Sequence, residues 1–398
     1  MKKTLAFLLA VVLLASMVAC RGDNGQATPG TTTASTTTET TTEPEQTPTT
    51  PELIGLEKNT YPILSNSDKI KILGRGMEAD GGITADWPAA GIEFKAYCEN
   101  TVSVTASCRG PMISFSVYVD NVLQPNAALF FASNPTTVIA SNLTAGEHSF
   151  RLVRRNMAES GNTPALISLT GIEVYGELTE KPADKQYLIE FVGDSITCGY
   201  GIGDLNPADG SNTYATKTAK QLDADYSVIA VSGIGVYKGT SRHASTVVNM
   251  ATTYDLNNWY RNPQAAYTPS RQADVVVVNL NTNDNSQVAS LTGEDLEAAE
   301  SGYKEAARLL LQKIRTAHGD DVKIVWVMGM MSNSTVPEKV RADEWLQQIF
   351  VELGGESAGY YTLSLIRNTS ADAGHPNASN HSINATRLAM FIEETVFS

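Results

Sequence analysis

Four short apolar runs alternate with longer amphipathic stretches in the second half of this chain, and the alternation limits the folds open to it. The apolar runs lie at 187–192, 226–231, 275–280 and 322–328. The amphipathic stretches, with a helical period, lie near 213–222, 297–317, 337–353 and 383–396. Continuous apolar runs are typical of strands buried on both faces of a parallel sheet. The pattern predicts a three-layer α/β domain over 186–398, with its functional residues at the carboxyl ends of the strands.

The residues before this region follow a period of two. Alternating apolar and polar residues occur at 92–97, 102–105, 114–119 and 148–153. Turn sequences stand at Glu99-Asn100, Asp120-Asn121 and Ala145-Gly146. We therefore predict a β-sandwich of the jelly-roll type over 60–178. With a turn at 99–100, Cys98 and Cys108 lie at opposite ends of a strand pair, so free thiols are expected rather than a disulfide.

The first 55 residues lack the pattern of a folded domain. Two lysines precede an apolar run at 5–18, which suits a signal peptide and is short for a membrane span. The run ends in Met17-Val18-Ala19-Cys20, which resembles a bacterial lipoprotein lipobox and implies lipid on Cys20; secretory cleavage beside an incidental cysteine is the alternative. Thirteen of the 25 residues 27–51 are Thr. We predict a signal peptide over 1–19 and a disordered tether over 20–55.

The charge balance narrows the classes of partner. The chain has 398 residues and a formal net charge of −14, and such an acidic protein repels the phosphate backbone of nucleic acids. The sequence Ser-Gly-Ile-Gly at 232–235 has the wrong glycine spacing for a dinucleotide-binding loop. The sequence also lacks the His and Cys patterns typical of zinc sites. We expect a neutral or cationic partner, with no cofactor and no metal.

Residues with side chains or turns suited to catalysis follow successive predicted strands. Ser195 lies in the turn Gly-Asp-Ser-Ile-Thr directly after the first strand, where backbone N–H groups can bind an oxyanion. Gly233 follows the second strand, and Asn283, whose amide can donate to an oxyanion, follows the third. In the last loop Asp372 precedes His375 by three residues, a spacing that allows a carboxylate to orient a general base. A turn or a helix cap explains each motif in isolation, whereas their joint order is more specific.

In this order the motifs resemble those of the SGNH, or GDSL, hydrolases. The longer run at 193–201 strengthens the similarity, which covers 187–398. It implies a catalytic triad and an oxyanion hole. The implied triad is Ser195, His375 and Asp372, and the implied oxyanion hole consists of Ser195, Gly233 and Asn283.

Together with the β-sandwich, the layout is similar to carbohydrate esterase family 2, the two-domain acetyl esterases. That similarity implies removal of O-acetyl groups from xylan or glucomannan, often at the sugar 6-position. The family usually has Gly where this chain has Asn281, and Asn tolerates the left-handed φ that such a turn requires. Many relatives also have an aromatic residue in place of Gly374. Some members orient the catalytic His by a backbone carbonyl, so the role of Asp372 stays open.

Two aromatic residues are candidates for binding the substrate. Trp259 and Tyr260 lie in the long segment before the third strand of the α/β region, and sugar faces stack on such rings. His381, at the start of the last predicted helix, is interpreted as structural. The expected protein is a lipid-anchored esterase of the bacterial surface that acts on an acetylated polysaccharide. Alternatives are a non-catalytic glycan-binding lipoprotein, or an esterase for a lipid, a thioester or peptidoglycan O-acetyl groups.

Overall fold

A computed structural model gives the fold of the chain. It describes residues 55–160, 163–204, 207–240, 248–258, 260–261, 265–331, 336–368 and 374–397. The described residues all belong to one compact unit, which begins after Leu53. The predicted signal peptide, Cys20 and nearly all of the predicted tether lie outside them. Among the helices of the described ranges, none is long and apolar enough to cross a membrane.

The N-terminal part is an antiparallel sheet, in which ten strands fall within the described residues. They are β1 (Lys58–Pro62), β2 (Ile70–Leu73), β3 (Glu78–Ala79), β4 (Gly82–Thr84), β5 (Gly91–Arg109), β6 (Ile113–Val119), β7 (Val122–Leu123), β8 (Ala128–Phe130), β9 (Thr136–Arg154) and β12 (Leu166–Leu178). A separate hairpin is formed by β10 (Glu159–Ser160) and β11 (Thr163–Pro164). The main path runs β3-β4-β12-β5-β9-β6-β7, with β1 beside β12, β2 beside β5 and β8 beside β6.

Two of the predicted turns lie inside long strands. β5 continues through Glu99-Asn100, and β9 continues through Ala145-Gly146. The pairing between these strands shifts register on both sides of Asn100, which takes a φ of 62°. Such a bulge uses the same residues as a turn but does not end the strand, which explains the wrong prediction. The third predicted turn, Asp120-Asn121, does connect β6 to β7.

The cysteines of this sheet are free thiols, as expected, although the reason is different. Cys98 and Cys108 lie on the same strand, β5, and not on the two arms of a hairpin. Burial raises the pKa of each thiol to about 11. Both therefore stay protonated at neutral pH and behave as small apolar side chains.

A parallel sheet of five strands follows, as the apolar runs predicted. Its strands are β13 (Leu188–Gly193), β14 (Asp225–Ala230), β15 (Val275–Asn279), β16 (Lys323–Met328) and β17 (Tyr360–Ser364). Their spatial order is β14-β13-β15-β16-β17. The chain therefore reverses direction across the sheet between β13 and β15, where doubly wound folds open a crevice at the carboxyl ends of the strands. The prediction missed β17, because this edge strand is only partly buried and lacks an apolar run.

Helices connect and cover these strands. In chain order they are α1 (Ser195–Cys198), α2 (Tyr214–Gln221), α3 (Met250–Thr253), α4 (Thr282–Val288), α5 (Gly293–His318), α6 (Arg341–Glu352) and α7 (Ala378–Phe391). The four longest, α2, α5, α6 and α7, correspond to the predicted amphipathic stretches. On α5, which covers the predicted stretch at 297–317, an apolar stripe is buried; it includes Ala306, Ala307, Leu310, Leu311 and Ile314.

A buried guanidinium joins the antiparallel sheet region to the parallel sheet. Arg75 lies between the rings of Tyr254 and Tyr267, at 4.7 and 4.8 Å from their centroids. Its Nη2 atom is 3.5 Å from Glu190 on β13, which also accepts a 2.5 Å hydrogen bond from the Tyr254 hydroxyl. Burial raises the pKa of Glu190, but Arg75 and His318 outweigh that effect and lower the pKa to about 2. The two parts are therefore connected by a charged pair inside the protein.

Candidate active site

Ser195 lies at the sharp junction of β13 and α1. The side chain of Asp194 caps the helix by accepting a 2.9 Å hydrogen bond from the Ile196 amide. A Cβ atom at Gly193 would lie only 2.0 Å from Thr197 Oγ1, so this turn requires glycine. Ser195 is the first residue of α1, where a backbone N–H group has no acceptor within the helix. The turn therefore presents the hydroxyl and the amide of one residue at the carboxyl edge of the sheet.

His375 approaches this hydroxyl from the loop between β17 and α7. Its Nε2 atom lies 2.8 Å from Ser195 Oγ. The Asn368 side chain donates a 2.7 Å hydrogen bond to the His375 carbonyl and so fixes the backbone of His375. Burial lowers the pKa of His375, so the imidazole is neutral and able to accept a proton at neutral pH. A hydroxyl beside a neutral imidazole is the pair required for nucleophilic catalysis.

Asn283 lies next to the Ser195 turn, on the first turn of α4. Its Nδ2 atom donates to Asp194 Oδ2 at 3.1 Å and to the Ile234 carbonyl at 2.8 Å. Its Oδ1 atom accepts a 3.0 Å hydrogen bond from Thr240 Oγ1. The amide is thereby fixed between the loops that follow β13 and β14.

The loop after β14 contains Gly233, which takes a φ of 83°. Its carbonyl accepts a 2.8 Å hydrogen bond from the Thr240 amide, which closes the loop. Asp284 supports the same loop, since its carboxylate accepts hydrogen bonds of 2.8–2.9 Å from the backbone amides of Val236, Tyr237 and Lys238. Ser195, Gly233, Asn283 and His375 are thus brought together at one edge of the parallel sheet.

Two buried carboxyl groups beneath this edge were not singled out from the sequence. Burial raises the pKa of Asp194 to about 7 and that of Asp284 to about 6, and the two carboxylates repel each other. Both residues directly adjoin a motif residue, Ser195 or Asn283. Their position beside a motif residue was the one sequence feature that could have indicated a role. Their hydrogen bonds, however, join segments about 50 to 90 residues apart in sequence.

Asn281, which stands where the resembled family usually has Gly, adopts the expected left-handed backbone conformation. Asn281 takes the left-handed conformation, with a φ of 79°, directly before α4. Its side chain is buried, accepts a 2.6 Å hydrogen bond from the Tyr303 hydroxyl and donates a 2.8 Å bond to Asp343. The turn that positions Asn283 is therefore kept, and the additional side chain has its own partners.

The remaining residues that the sequence singled out lie either outside the described ranges or away from the Ser195–His375 pair's own hydrogen bonds. Asp372 and Trp259 lie outside the described residues. Tyr260 is partly buried, and its amide donates a 2.8 Å hydrogen bond to Asn258 Oδ1. His381 is fully buried, and its Nδ1 atom accepts a 3.0 Å hydrogen bond from the Tyr214 amide, which agrees with a structural role.

Comparison with known proteins gives a consistent set of relatives. Residues 191–383 match the GDSL-like Lipase/Acylhydrolase family. The chain is 27% identical over 338 residues to the cellulase/esterase CelE of Acetivibrio thermocellus, covering 77% of this chain and 37% of the relative. It is 26% identical over 218 residues to an acetylxylan esterase/glucomannan deacetylase of Cellvibrio japonicus, covering 50% of this chain and 57% of the relative. The chain thus spans between about a third and three fifths of the length of these relatives.

A solved structure shares the fold of both sheets. The acetyl xylan esterase Est2A from the rumen bacterium Butyrivibrio proteoclasticus aligns with a TM-score of 0.72 and 21% identity. The alignment covers 86% of this chain and 99% of that structure. At this identity the similarity establishes the fold.

Proposed function

We propose that this chain, whose residues 191–383 match the GDSL-like Lipase/Acylhydrolase family, is a serine esterase that removes O-acetyl groups from plant cell-wall polysaccharides. The observation that carries this proposal is the 2.8 Å distance between Ser195 Oγ and His375 Nε2, at the switch point of the parallel sheet. The names of the relatives, which include an acetylxylan esterase, support the substrate class. The net charge of −14 suits an uncharged polysaccharide better than an anionic one.

The proposed reaction proceeds through an acyl-enzyme. His375 Nε2 takes the proton of Ser195 while Oγ forms a bond to the acetyl carbon, which gives a tetrahedral oxyanion. The N–H groups of Ser195 and Gly233 and the amide of Asn283 stabilise that charge. The imidazolium then protonates the sugar oxygen as its bond to the acetyl carbon breaks. Water, deprotonated by His375, hydrolyses the acetyl-Ser195 ester, releases acetate and restores the hydroxyl.

The partner of the second imidazole nitrogen is part of the same proposal. Asp372 lies three residues before His375, and its carboxylate would fix the tautomer in which Nε2 faces Ser195. A backbone carbonyl is the other acceptor of suitable chemistry. An Asp372→Asn variant distinguishes the two, since kcat falls by orders of magnitude only when the carboxylate is the partner.

Hydrolysis of an aryl acetate is the first experiment. We expect Ser195→Ala and His375→Ala to abolish measurable turnover, while Ser357→Ala, a serine on the exposed surface, leaves it unchanged. Equal rates for the wild type and Ser195→Ala would contradict the mechanism. If acetylated polysaccharide is retained by the protein but no acetate is released, a glycan-binding protein is the correct description.

The substrate is then resolved by comparison of esters. An acetyl ester should be cleaved much faster than an octanoyl ester, and acetate should be released from acetylated xylan or glucomannan, with loss of the 6-O-acetyl signals in NMR spectra. If Trp259 and Tyr260 bind sugars, their replacement by Ala raises KM for polysaccharide and leaves KM for the aryl acetate unchanged. Preference for the octanoyl ester would instead indicate a lipid substrate.

The cellular location and domain organisation belong to this proposal as well. A signal peptide over 1–19, a lipid on Cys20 and a tether over 20–55 would hold the enzyme at the bacterial surface, ahead of a jelly-roll β-sandwich over 60–178 and the hydrolase domain over 186–398. The full chain expressed in a bacterial host should enter the detergent phase on partitioning. Cys20→Ser should shift it to the aqueous phase; an unchanged distribution would contradict the lipid anchor.

A further inference from the structure

The ring of Tyr200 lies against the imidazole of His375. The two ring centroids are 4.7 Å apart, and the planes are tilted by 49°. Tyr200 is 36% exposed, so its ring borders solvent as well as the histidine. The triad and the oxyanion hole assign no role to this residue, although it lies only five positions after Ser195.

The backbone fixes Tyr200 relative to both reacting side chains. Its amide donates a 3.0 Å hydrogen bond to the carbonyl of Ser195, and the next amide, of Gly201, donates a 2.6 Å bond to the Pro207 carbonyl. Gly201 takes a φ of 93°, and a Cβ atom there would lie 3.3 Å from His375 Cβ. The segment that carries the nucleophile is therefore packed directly against the segment that carries the base.

The chemistry of the site gives such a ring a specific use. When His375 takes the proton of Ser195 it becomes a cation in a place where burial disfavours positive charge. The face of an aromatic ring is negative, and it attracts a cation within about 6 Å of its centroid. At 4.7 Å the Tyr200 ring lies within this range.

Among the described residues, few other titratable groups could stabilise or destabilise a charged His375 imidazole. The Ser195 hydroxyl is neutral before reaction, and Asp194 is buried and engaged as the cap of α1. His381 interacts with His375 through space, but burial lowers the pKa of His381 to about 3, so it is uncharged at neutral pH. Asp372, outside the described residues, is the one further carboxylate that our mechanism assigns to the imidazole, and it would act on the other ring nitrogen.

We propose that Tyr200 is a positioning residue for the acyl-transfer step, a proposal that rests on the proposed esterase function. Its ring holds the imidazole of His375 in line with Ser195 Oγ and stabilises the imidazolium that forms as the serine attacks. The hydroxyl of Tyr200 is not needed for either task, which separates this role from that of a hydrogen-bonding or acid–base tyrosine.

The experiment compares Tyr200→Leu with Tyr200→Phe in the full chain. Leu keeps bulk but removes the π-face, whereas Phe keeps the face and removes only the hydroxyl. For an aryl acetate we expect Leu to lower kcat roughly tenfold at an almost unchanged KM, and to lower the pKa of the acidic limb of kcat/KM by roughly half a unit to one unit. Phe should resemble the wild type in both respects. Tyr97→Leu, at a tyrosine that is 46% exposed on the antiparallel sheet, is the matched control and should change neither.

A readout independent of turnover is the NMR titration of the His375 imidazole in a Ser195→Ala background. Its pKa should fall when Tyr200→Leu is added and should be restored by Tyr200→Phe. An unchanged pKa overturns the proposal, even if kcat falls, because the ring would then act on the substrate and not on the base. A loss of kcat in Phe equal to that in Leu overturns it too. If Ser195→Ala hydrolyses the ester as well as the wild type, the esterase mechanism itself fails, an outcome that the NMR titration does not depend on.

Discussion

The amide nitrogen of Asn283 lies 3.1 Å from Asp194 Oδ2 and 2.8 Å from the carbonyl of Ile234. A carboxamide has two N–H bonds, so both are engaged before an ester arrives. An oxyanion that forms beside Ser195 must share one of these bonds or replace Asp194 as the acceptor. The carboxyl group next to Ser195, the nucleophile that we propose, therefore controls how Asn283 is oriented and how readily its amide becomes available to an oxyanion.

The first prediction concerns Asp194→Asn. An Asn side chain can still cap α1, because Asn and Asp are about equally good N-caps. Its amide nitrogen would, however, face that of Asn283, and two donors repel, so Asn283 rotates away. We expect kcat for an aryl acetate to fall by roughly 10²-fold, as when one oxyanion-hole donor is removed, with little change in KM. Asp223→Asn, at an exposed carboxylate, is the control; an equal effect of both substitutions would exclude a specific role for Asp194.

The second prediction concerns Asn281→Gly. Glycine accepts the φ of 79°, so the turn before α4 and the activity should persist. The buried Tyr303 hydroxyl and Asp343 each lose a partner, which should lower the free energy of unfolding by about 1–3 kcal/mol in urea titrations. Adding Tyr303→Phe to Asn281→Gly removes the orphaned hydroxyl and should recover part of this loss. A double variant that is less stable than the glycine variant would contradict the explanation.

The third prediction concerns the buried pair of Arg75 and Glu190. Arg75→Met removes the guanidinium partner of the buried Glu190 carboxylate, while the contacts of Glu190 with Tyr254 and His318 remain. We expect it to cost about 3 kcal/mol of unfolding free energy, the lower end of the range for a broken buried ion pair. The double variant Arg75→Met/Glu190→Gln contains no buried charge at this place and should be more stable than Arg75→Met alone. A thermal-unfolding double-mutant cycle measures the difference. Strictly additive losses would show that the two groups do not interact.

The fourth prediction concerns the pH dependence contributed by His148. Its Nδ1 atom is 2.8 Å from Asp120 Oδ2 and its Nε2 atom 2.9 Å from the Thr144 carbonyl, so both nitrogens face acceptors. Partial burial lowers the pKa of His148, but these two bonds outweigh it and raise the pKa above the ordinary value. The stabilisation is therefore complete below about pH 6.5 and is lost as pH rises through the higher folded-state pKa.

We accordingly expect His148→Gln to cost about 0.5–1 kcal/mol at pH 5.5 and less at pH 8.5, measured by urea unfolding. In an Asp120→Asn background the difference between the two pH values should shrink, because the anionic partner is gone. A cost that is the same at both pH values would show that protonation of His148 does not stabilise the fold.

The parts of the fold that sequence predicted are those encoded locally. Four strands of the parallel sheet are short, largely apolar runs, and Ser195, Gly233 and Asn283 follow three of them within a few residues. The edge strand β17 has no such run, and a bulge at Asn100 uses the same residue type as a turn. Contacts across long separations left no local signal: Arg75 and Glu190 are 115 positions apart, and the meeting of Asn283 with Asp194 depends on the order of the strands.

The core of the antiparallel sheet continues into that of the parallel sheet. One buried cluster contains Ile92 and Phe94 of β5 together with Val276 of β15 and Trp326 of β16. A second contains Leu73 and Val153 together with Phe191, four positions before Ser195. An exchange of the N-terminal sheet for that of another protein would thus replace half of an interior surface. A substitution in the core of one sheet must therefore be matched by the side chains of the other, so the two sheets behave as one folding unit and not as exchangeable modules.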